Sequence, residues 1–443
     1  MIRNAVKPIV ILMPGPVHLF WTTGVYYLWE LSKKYRIVLV VSKIYKIDPL
    51  FIKVSALTDV IEILYIPDNY GVLKRHRFYS MVFSELADRY HPLFVFQHNH
   101  VYPINMYLYS CAKKRNTQII TMQMGREAVN WAADFNARNA SAISNIKNKY
   151  PMFPYWFLSL MNKLRKKILF CLVHFILPPI FLKKVFHPGL DIYSGRIYKK
   201  NTKNYHDYYL MYKATEKEVT EKAMGQSDKI LLIRHPVETI GHECNNILYP
   251  LDVEEDRIVI LPSYGFIDSV YVKNGIKQYD DVALMIQKWG EIIEVIREKM
   301  PDWEVLFKLH PNEKNNIIWE NILKNSSRNN PHIVLLDKSE KAEKLILKSK
   351  IVVSDVSTVL WWTSFLRSKL AISLDLFGYI GGDDIKEYDN VYYISSMDQF
   401  KKLDLSMELK KKITKVDKNH REKNSLIDIL KSTIKKVPRY NYE

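Results

Sequence analysis

Two short polar segments in the second half of the chain carry side chains that suit phosphate chemistry. The sequence FKLHPN at 307–312 follows one apolar run, and SDVST at 354–358 follows another. Since the carboxyl ends of parallel strands face one crevice of an open α/β sheet, both segments are expected at the same ligand site. Hydroxyl groups and N–H groups at a helix N-terminus suit a phosphate, and a histidine can stabilise the charge on a departing nucleotide. The pattern predicts a transferase with a phosphate-linked donor, bound by His310, Pro311, Ser357 and Thr358.

Each of these residues also has a structural interpretation. Asp355, Ser357 or Thr358 could simply cap the helix that follows. The His-Pro pair is only a dipeptide, and it recurs in the chain, for example at His187-Pro188 and His235-Pro236. The phosphate hypothesis therefore depends on His310 and the hydroxyl pair reaching one bound anion.

Two further segments are candidates for the donor side. The sequence PSYG at 262–265 follows a predicted strand, and its small residues Ser263 and Gly265 would let the backbone approach a ligand. Asp375 ends another predicted strand and could line a nucleotide pocket.

Three polar segments follow predicted strands of the first half and contain the candidates for a catalytic base. Transfer with inversion needs a base to take the proton of the acceptor hydroxyl. His18, His98 and Glu127 are the main candidates, with Asp134 as a further one, and Glu127 is preferred. His98 and His100 alternate along an extended segment, but no third ligand at a suitable spacing accompanies them. No Asp-x-Asp pattern is present, so we expect neither a metal ion nor a cofactor.

Two series of alternating strands and helices indicate an α/β fold. Strands are predicted at 9–13, 36–41, 60–65, 93–96 and 118–122, and again at 257–261, 303–309, 332–336, 351–353, 370–374 and 391–394. Helices are predicted at 21–34, 78–90, 102–114, 215–224, 280–300, 315–324, 341–347 and 359–366. Two Rossmann-like domains facing a central cleft, the GT-B architecture, fit this pattern. The predicted divisions are an acceptor domain at 1–215 with a helical insertion at 126–215, a linker at 216–256, a nucleotide-donor domain at 257–405 and a helical tail at 406–443.

The composition limits the class of protein further. A chain of 443 residues with 48% hydrophobic residues can form two cores. The formal net charge of +18 suits nucleic acid, an anionic membrane surface or an acidic polymer, and a generally lysine-rich composition would also explain it. Three cysteines without metal-type spacing favour a reducing compartment, here the cytoplasm.

The strongest concentration of charge lies beside apolar and aromatic residues. Residues 160–204 contain ten lysines and arginines and one acid, a net charge of +9. The apolar run at 168–182 is interrupted by Pro178-Pro179 and is shorter than the roughly twenty residues of a spanning helix. An in-plane anchor that begins at Tyr155-Trp156-Phe157 fits better, and a buried helical insertion is the alternative. We expect a protein held on the inner face of the cytoplasmic membrane.

The motifs KLHP at 308–311 and Ser357-Thr358 resemble those of bacterial surface-polysaccharide enzymes with GT-B folds. These are the sialyltransferases and polysialyltransferases, the capsule Kdo transferases and the CDP-glycerol glycerophosphotransferases. In those families the histidine and hydroxyls contact the phosphate of a cytidine nucleotide, which implies that role for His310, Ser357 and Thr358. The resemblance implies an inverting glycosyltransferase that moves a CMP-activated sugar acid to a glycan or lipid-linked glycan.

Three alternatives to this interpretation remain. The donor could be CDP-glycerol, and a sugar-nucleotide epimerase would share the two-domain plan. The positive charge could also indicate a nucleic-acid-binding protein. We do not expect a nucleic acid partner, because no helix-turn-helix or RNA-binding aromatic motif is visible.

Overall fold

The chain divides into two units, each with its own parallel sheet. The structure is a computed structural model that describes residues 7–14, 20–66, 72–98, 112, 114–123, 152–154, 156–158, 160–161, 164, 190–191, 196–197, 207–224, 228–248, 255–262, 272–273, 276–277, 281–310, 332–337, 339–355, 357–366, 368–376, 391–414 and 425–434. The first unit comprises Met1–Glu127, Met161–Leu248 and Arg421–Glu443, and the second comprises Ala128–Leu160 and Tyr249–His420.

A seven-stranded parallel sheet forms the centre of the first unit. Its strands are β1 (Ile9–Met13), β2 (Arg36–Ser42), β3 (Val60–Ile66), β4 (Phe94–His98), β5 (Gln118–Met122), β8 (Tyr208–Met211) and β9 (Ile230–Leu232), and the two-stranded pair β6 (Leu190–Asp191) and β7 (Arg196–Ile197) lies outside it. The order is β3-β2-β1-β4-β5-β8-β9. The continuous apolar runs in β1 and β2 are buried, as expected for a parallel sheet with covered faces.

The second unit contains a six-stranded parallel sheet. Its strands are β10 (Glu255–Ile260), β13 (Glu304–Lys308), β14 (Ile333–Leu336), β15 (Ser349–Ser354), β16 (Leu370–Leu374) and β17 (Val391–Ile394), and the pair β11 (Val272–Lys273) and β12 (Ile276–Lys277) is separate. The order is β14-β13-β10-β15-β16-β17. Counted within this unit the order is 3-2-1-4-5-6, the doubly wound arrangement of a Rossmann-like domain. Trp289, Phe307 and Val353 belong to its buried core.

The helices follow the alternation expected from the sequence. In the first unit they are α1 (Val25–Ser32), α2 (Pro49–Leu57), α3 (Val72–Tyr90), α4 (Ala214–Met224) and α5 (Pro236–Leu248), with a π-helix at Phe20–Gly24 and a 3₁₀ helix at Lys43–Ile47. The second unit contains α6 (Asp281–Lys299), α7 (Ala342–Lys348), α8 (Thr358–Thr363), α9 (Met397–Lys402) and α10 (Leu405–Thr414). The last helix, α11 (Leu426–Thr433), belongs to the first unit. The helices predicted at 102–114 and 315–324 lie largely or wholly outside the described residues.

The structure differs from the predicted linker at 216–256. This range contains most of α4, all of β9 and all of α5, and the sheet of the first unit continues through it. Helix α5 packs on α1, where the Tyr26 hydroxyl donates to Asn245 Oδ1 at 2.6 Å and Lys33 Nζ lies 2.7 Å from Glu243 Oε2. These contacts make α5 an integral helix of the first unit.

Helix α11 returns to the first unit and packs against α1. Its Leu426 and Leu430 are buried. The backbone N–H groups of Leu426 and Ile427, in its first turn, hydrogen-bond to the carboxylate of Glu30. Glu30 is 4% exposed, and this burial raises its pKa to about 7. A buried acid of α1 therefore holds the N-terminus of α11.

Candidate functional site

The strand order of the second sheet reverses between β10 and β15. Helical crossovers place β13 on one side of β10 and β15 on the other, and ligands of open α/β sheets bind outside the carboxyl ends of strands at such a point. The chain leaves β10 at Leu261 and Pro262 and leaves β15 at Asp355. The predicted donor segments that follow β10, β13 and β15 therefore begin at one edge of the sheet.

A hydrogen bond at this edge joins the ends of β10 and β15. The Ser354 hydroxyl donates to the carbonyl of Leu261, and Ser354 Oγ lies 3.3 Å from Asp355 Oδ1. Both Ser354 and Asp355 have no exposed surface. Because these groups are buried and joined, they fix the start of the turn that leads to Ser357.

Ser357 is the N-cap of α8. Its backbone is extended, and its hydroxyl accepts a hydrogen bond from Val359 N at 3.4 Å. The capping interpretation of the sequence is thus confirmed for Ser357, which is half-buried. Thr358 is the first residue of α8. The half-buried Ser357 hydroxyl and the first N–H groups of the helix remain compatible with a phosphate contact, since capping and anion binding use the same end of a helix.

His310 follows β13, the neighbour of β10 on the side opposite β15. The residue is half-buried and comes after the buried Leu309. Strands of a sheet lie about 4.8 Å apart, so β13 and β15 are separated by about 10 Å. A phosphate placed above the end of β10 would lie about 5 Å from either neighbouring strand. The topology therefore brings His310 and Ser357 to the same edge, on the two sides of β10.

His235 shows how a similar dipeptide behaves in a structural role. It precedes α5 in the first unit, has no exposed surface, and its Nδ1 accepts from Val237 N at 3.1 Å. Burial lowers its pKa to about 3, so the imidazole is neutral. Its ring packs against Tyr212 with 4.6 Å between centroids. The His-Pro dipeptide alone is thus no mark of a site, and the half-buried position of His310 at a strand end distinguishes it.

Asp375 follows β16 at the same edge of the second sheet. Its Oδ2 accepts a hydrogen bond from the hydroxyl of Tyr393 on β17. Its Oδ1 is buried without a hydrogen-bond partner among the described residues. The carboxylate can therefore accept one further hydrogen bond, for example from a hydroxyl group of a ligand. The sequence pointed to Asp375 but not to Tyr393, which lies in a neighbouring strand and carries no motif.

Lys308 is a buried cation two residues before His310. It is 4% exposed, and Nζ donates to the carbonyl of Leu309 at 3.1 Å. Burial lowers the pKa of Lys308, and the nearby carboxylates of Glu343, Glu340 and Asp337 oppose that shift. Burial also raises the pKa of Glu343. The sequence did not assign a role to Lys308, although a lysine that ends an apolar strand was a visible signal.

The strand order of the first sheet reverses between β1 and β4, and the candidate bases follow these strands and β5. His98 is the last residue of β4 and pairs with Met122 in register. Its neighbour Gln97, which the sequence analysis did not single out, is 2% exposed, and its Nε2 donates to Thr121 Oγ1 at 3.3 Å. The amide oxygen of Gln97 has no partner among the described residues.

The residue after β5 is fixed by a buried hydrogen-bond network. Gln123 Nε2 donates to Glu216 Oε2 at 2.5 Å, and the Tyr212 hydroxyl donates to the carbonyl of Gln123 at 2.9 Å. Gln123 lies four residues before Glu127 in the sequence. Buried hydrogen bonds therefore hold the chain in place directly after β5.

Several predicted site residues lie outside the described part of the chain. These are His18, Glu127, Asp134, Pro311, Ser263 and Gly265, and their assignments stay predictions. In the described ranges no group of three His, Cys, Asp or Glu side chains could hold a metal ion. Every helix in those ranges is too short or too polar to span a bilayer.

Comparisons with solved structures show the fold. UDP-GlcNAc 2-epimerase from Methanocaldococcus jannaschii is similar over 96% of this chain and all of its own, with a TM-score of 0.53 and 12% identity. A putative UDP-N-acetylglucosamine 2-epimerase from Listeria monocytogenes is similar over 92% of this chain and 88% of its own, with a TM-score of 0.53 and 11% identity.

A third solved structure has the same TM-score. UGT73P12 of Glycyrrhiza uralensis, solved with glycyrrhetinic acid 3-O-monoglucuronide, is similar over 92% of this chain and 90% of its own, with a TM-score of 0.53 and 10% identity. No protein-family model and no curated protein matches the sequence. The chain has the GT-B fold, with two Rossmann-like units.

Proposed function

We propose that this chain is a sugar-nucleotide enzyme, and specifically an inverting glycosyltransferase that uses a CMP-activated sugar acid of the sialic acid or Kdo type. The acceptor would be a glycan or lipid-linked glycan of a bacterial surface polysaccharide. The observation that carries the proposal is the order of the second sheet, in which the ends of β13 and β15 flank β10 and bring His310 and Ser357 to one edge.

The residues at this edge suit the departure of a nucleotide. In an inverting transfer the acceptor oxygen attacks the anomeric carbon, the bond from that carbon to the phosphate oxygen breaks, and the electron pair leaves with CMP. Donors already aimed at the phosphate stabilise that charge without reorganisation. His310 and the N–H groups at the start of α8 would supply them. The base that takes the acceptor proton is assigned to Glu127, with His18 and His98 as alternatives.

A second candidate function is supported by the fold comparison. Two of the similar structures are described as UDP-GlcNAc 2-epimerases, one of them as putative. An epimerase would also hold a nucleotide diphosphate at the edge of the second sheet. It would prefer uridine over cytidine nucleotides and would need no glycan acceptor.

A thermal-shift experiment distinguishes the two. CMP, CDP, UDP and GDP are each added to the wild type, His310→Ala and Ser357→Ala. The control is His332→Ala, because His332 is exposed and immediately precedes β14, at the opposite edge of the sheet. A stabilisation specific to cytidine nucleotides that both site variants lose and the control retains supports the proposal.

Other outcomes redirect or refute the proposal. Stabilisation by UDP alone favours the epimerase, which incubation with UDP-GlcNAc then tests directly. Stabilisation that persists in both site variants refutes the assigned site. The melting temperatures without nucleotide show whether each variant folds, and the two site variants provide independent readings.

We also propose that the protein associates with an anionic membrane surface. Large apolar side chains are exposed in the segment 152–164: Met152, Phe153, Trp156, Leu160, Met161 and Leu164. The cationic residues Lys163, Arg165, Lys166 and Lys167 accompany them in the sequence. Apolar and aromatic side chains beside basic ones are typical of segments that lie in the interface of an anionic bilayer.

A further inference from the structure

The first unit exposes a second apolar surface, formed by the 3₁₀ helix Lys43–Ile47 and the adjoining α2. Ile44 is 54% exposed, Ile47 83%, Ile52 52% and Leu57 53%. Single exposed apolar side chains are ordinary, but a group of them on two adjacent helices marks an interaction surface. We call the residues 43–57 the isoleucine-lysine surface.

The scaffold beneath this surface is rigidly packed. Tyr45 is buried and stacks on Phe51, with 4.9 Å between ring centroids and an angle of 24°. The ring centroid of Phe20 lies 5.0 Å from that of Tyr45. The Asp48 carboxylate caps α2 by accepting from Leu50 N at 2.9 Å. Because the inward side chains are fixed, the outward isoleucines are held in place rather than free to fold back.

Helix α2 carries apolar side chains on its exposed side as well as on its buried side. Phe51 and Val54 have no exposed surface and face the core. Ile52 and Leu57 are on the exposed side, where an ordinary surface helix carries charged or polar residues. In the 3₁₀ helix, Ile44 and Ile47 are three residues apart and therefore share one face. These exposed apolar side chains therefore do not contribute to the core of this unit.

Lysines alternate with the isoleucines. Lys43, Lys46 and Lys53 are exposed, and the only acid within 43–57 is Asp48, which is engaged in capping. Lys53 Nζ donates to the carbonyl of Ile247 at 3.0 Å. An anionic bilayer suits this combination, because the isoleucines enter the acyl boundary while ammonium groups contact lipid phosphates. A second copy of the chain would bring the same lysines against each other in a symmetric contact.

We infer that the isoleucine-lysine surface docks on an anionic lipid bilayer through Ile44, Ile47 and Ile52, with Lys43 and Lys46 on the headgroups. The 3₁₀ helix begins directly after Ser42, the last residue of β2. The surface therefore starts at the carboxyl edge of the first sheet, the edge that carries Gln97 and His98. This inference rests on the proposal that the protein works at a membrane, but on none of the residues at 152–164 that support it.

Flotation of the full chain with vesicles tests the inference. Vesicles of phosphatidylcholine with phosphatidylglycerol are compared with vesicles of phosphatidylcholine alone. The combined variant Ile44→Ser, Ile47→Ser, Ile52→Ser should lower the partition coefficient on anionic vesicles more than tenfold. Its control, Met81→Ser with Met407→Ser, removes exposed apolar side chains elsewhere and should leave it unchanged.

A second pair of variants measures how much the lysines contribute to binding of anionic vesicles. Lys43→Gln with Lys46→Gln should lower the partition coefficient about fivefold for each lysine. Lys401→Gln with Lys402→Gln makes the same change in net charge at exposed positions of α9 and should have a smaller effect. Neutral vesicles should bind all proteins more weakly.

Several results would overturn the inference. The first is wild-type protein that does not float with anionic vesicles, and the second is an isoleucine variant that binds these vesicles like the wild type. The third is that Trp156→Ser abolishes vesicle binding while the isoleucine variant has no effect. A dimer without lipid that the isoleucine variant dissociates, seen by light scattering, would show a second copy as the occupant. CMP thermal shifts of the wild type and of the isoleucine and Lys43/Lys46 variants test the nucleotide proposal separately, since these substitutions lie in the first unit and the assigned nucleotide site lies in the second.

Discussion

Replacing Glu30 by glutamine should stabilise the first unit at alkaline pH. The Glu30 carboxylate is buried between α1 and the first turn of α11, where it accepts the N–H groups of Ile427 and Leu426. Burial raises its pKa, the charge of Asp428 raises it further, and Lys33 together with the backbone hydrogen bonds lowers it. Burial dominates, so the neutral form is preferred and an amide of the same shape should replace it well.

The magnitude follows from the difference between folded and unfolded pKa values. Glu30 titrates at about 7 when folded, against 4.5 for an unperturbed glutamate. Between these values the folded state holds a proton that the unfolded chain has released, so stability falls as the pH rises through this window. The loss is complete above pH 7 and amounts to about 3 kcal/mol. For a unit of about 240 residues this corresponds to roughly 6–12 °C in melting temperature.

Thermal denaturation of the wild type and Glu30→Gln between pH 4.5 and pH 8.5 measures this effect. The two melting temperatures should nearly coincide at the acid end and diverge in favour of the variant up to about pH 7.5. Other titrating groups act on both proteins alike and cancel in the difference. Glu243→Gln is the control, because hydrogen bonds from Lys33 and Trp29 lower the pKa of Glu243 and its replacement should not stabilise the protein at high pH. A difference that is independent of pH would refute the buried-acid argument.

Three further predictions concern single side chains. Ser357→Ala should lower stability by about 1 kcal/mol through loss of the α8 cap, whereas Ser357→Thr should retain most of it; equal melting temperatures would contradict the capping role. Tyr26→Phe leaves Asn245 Oδ1 without its buried donor and should cost about 1–3 kcal/mol in denaturant titration, with Tyr35→Phe as the aromatic control. His310→Ala should slow CMP release from a CMP-sugar about 100-fold or more, while His332→Ala should not; similar rates would exclude His310 from the reaction.

The sequence predicted the two parallel sheets because most of their strands are continuous apolar runs. Such runs, as in β1, β10 and β16, are buried on both faces and need no alternation. The sequence did not predict strand β8, because Tyr208–Met211 is short. It also follows an aromatic, basic stretch whose pattern indicates helices. The chain needs this strand to join β9 to the first sheet.

Helix α5 had a signal that the sequence analysis did not use. Val237, Ile240, Cys244 and Leu248 recur at helical spacing, and all four are buried. The glycine at 241 and the polar residues around it made the segment look irregular. A Cβ atom at position 241 would lie only 3.0 Å from the Val237 side chain. Glycine has no Cβ and therefore avoids this close contact inside the helix.

The candidate site was predictable in its position but not in its contacts. The strand ends at His310 and Ser357 follow from apolar runs, and the doubly wound rule brings them to one edge. The bond of Asp375 with Tyr393 and the burial of Lys308 near Glu343 join residues far apart in the sequence. Only the order of the strands, which no local pattern encodes, puts such residues side by side.

The return of α11 has a consequence for biosynthesis. Residues 426–433 complete the packing around Glu30, yet the ribosome translates them after the entire second sheet. Until the second unit has been synthesised, the first unit therefore lacks the buried side chains of Leu426 and Leu430 and the backbone N–H groups that bond to Glu30. A fragment that stops after α5 would keep all seven strands of the first sheet but would lack the helix that covers Glu30.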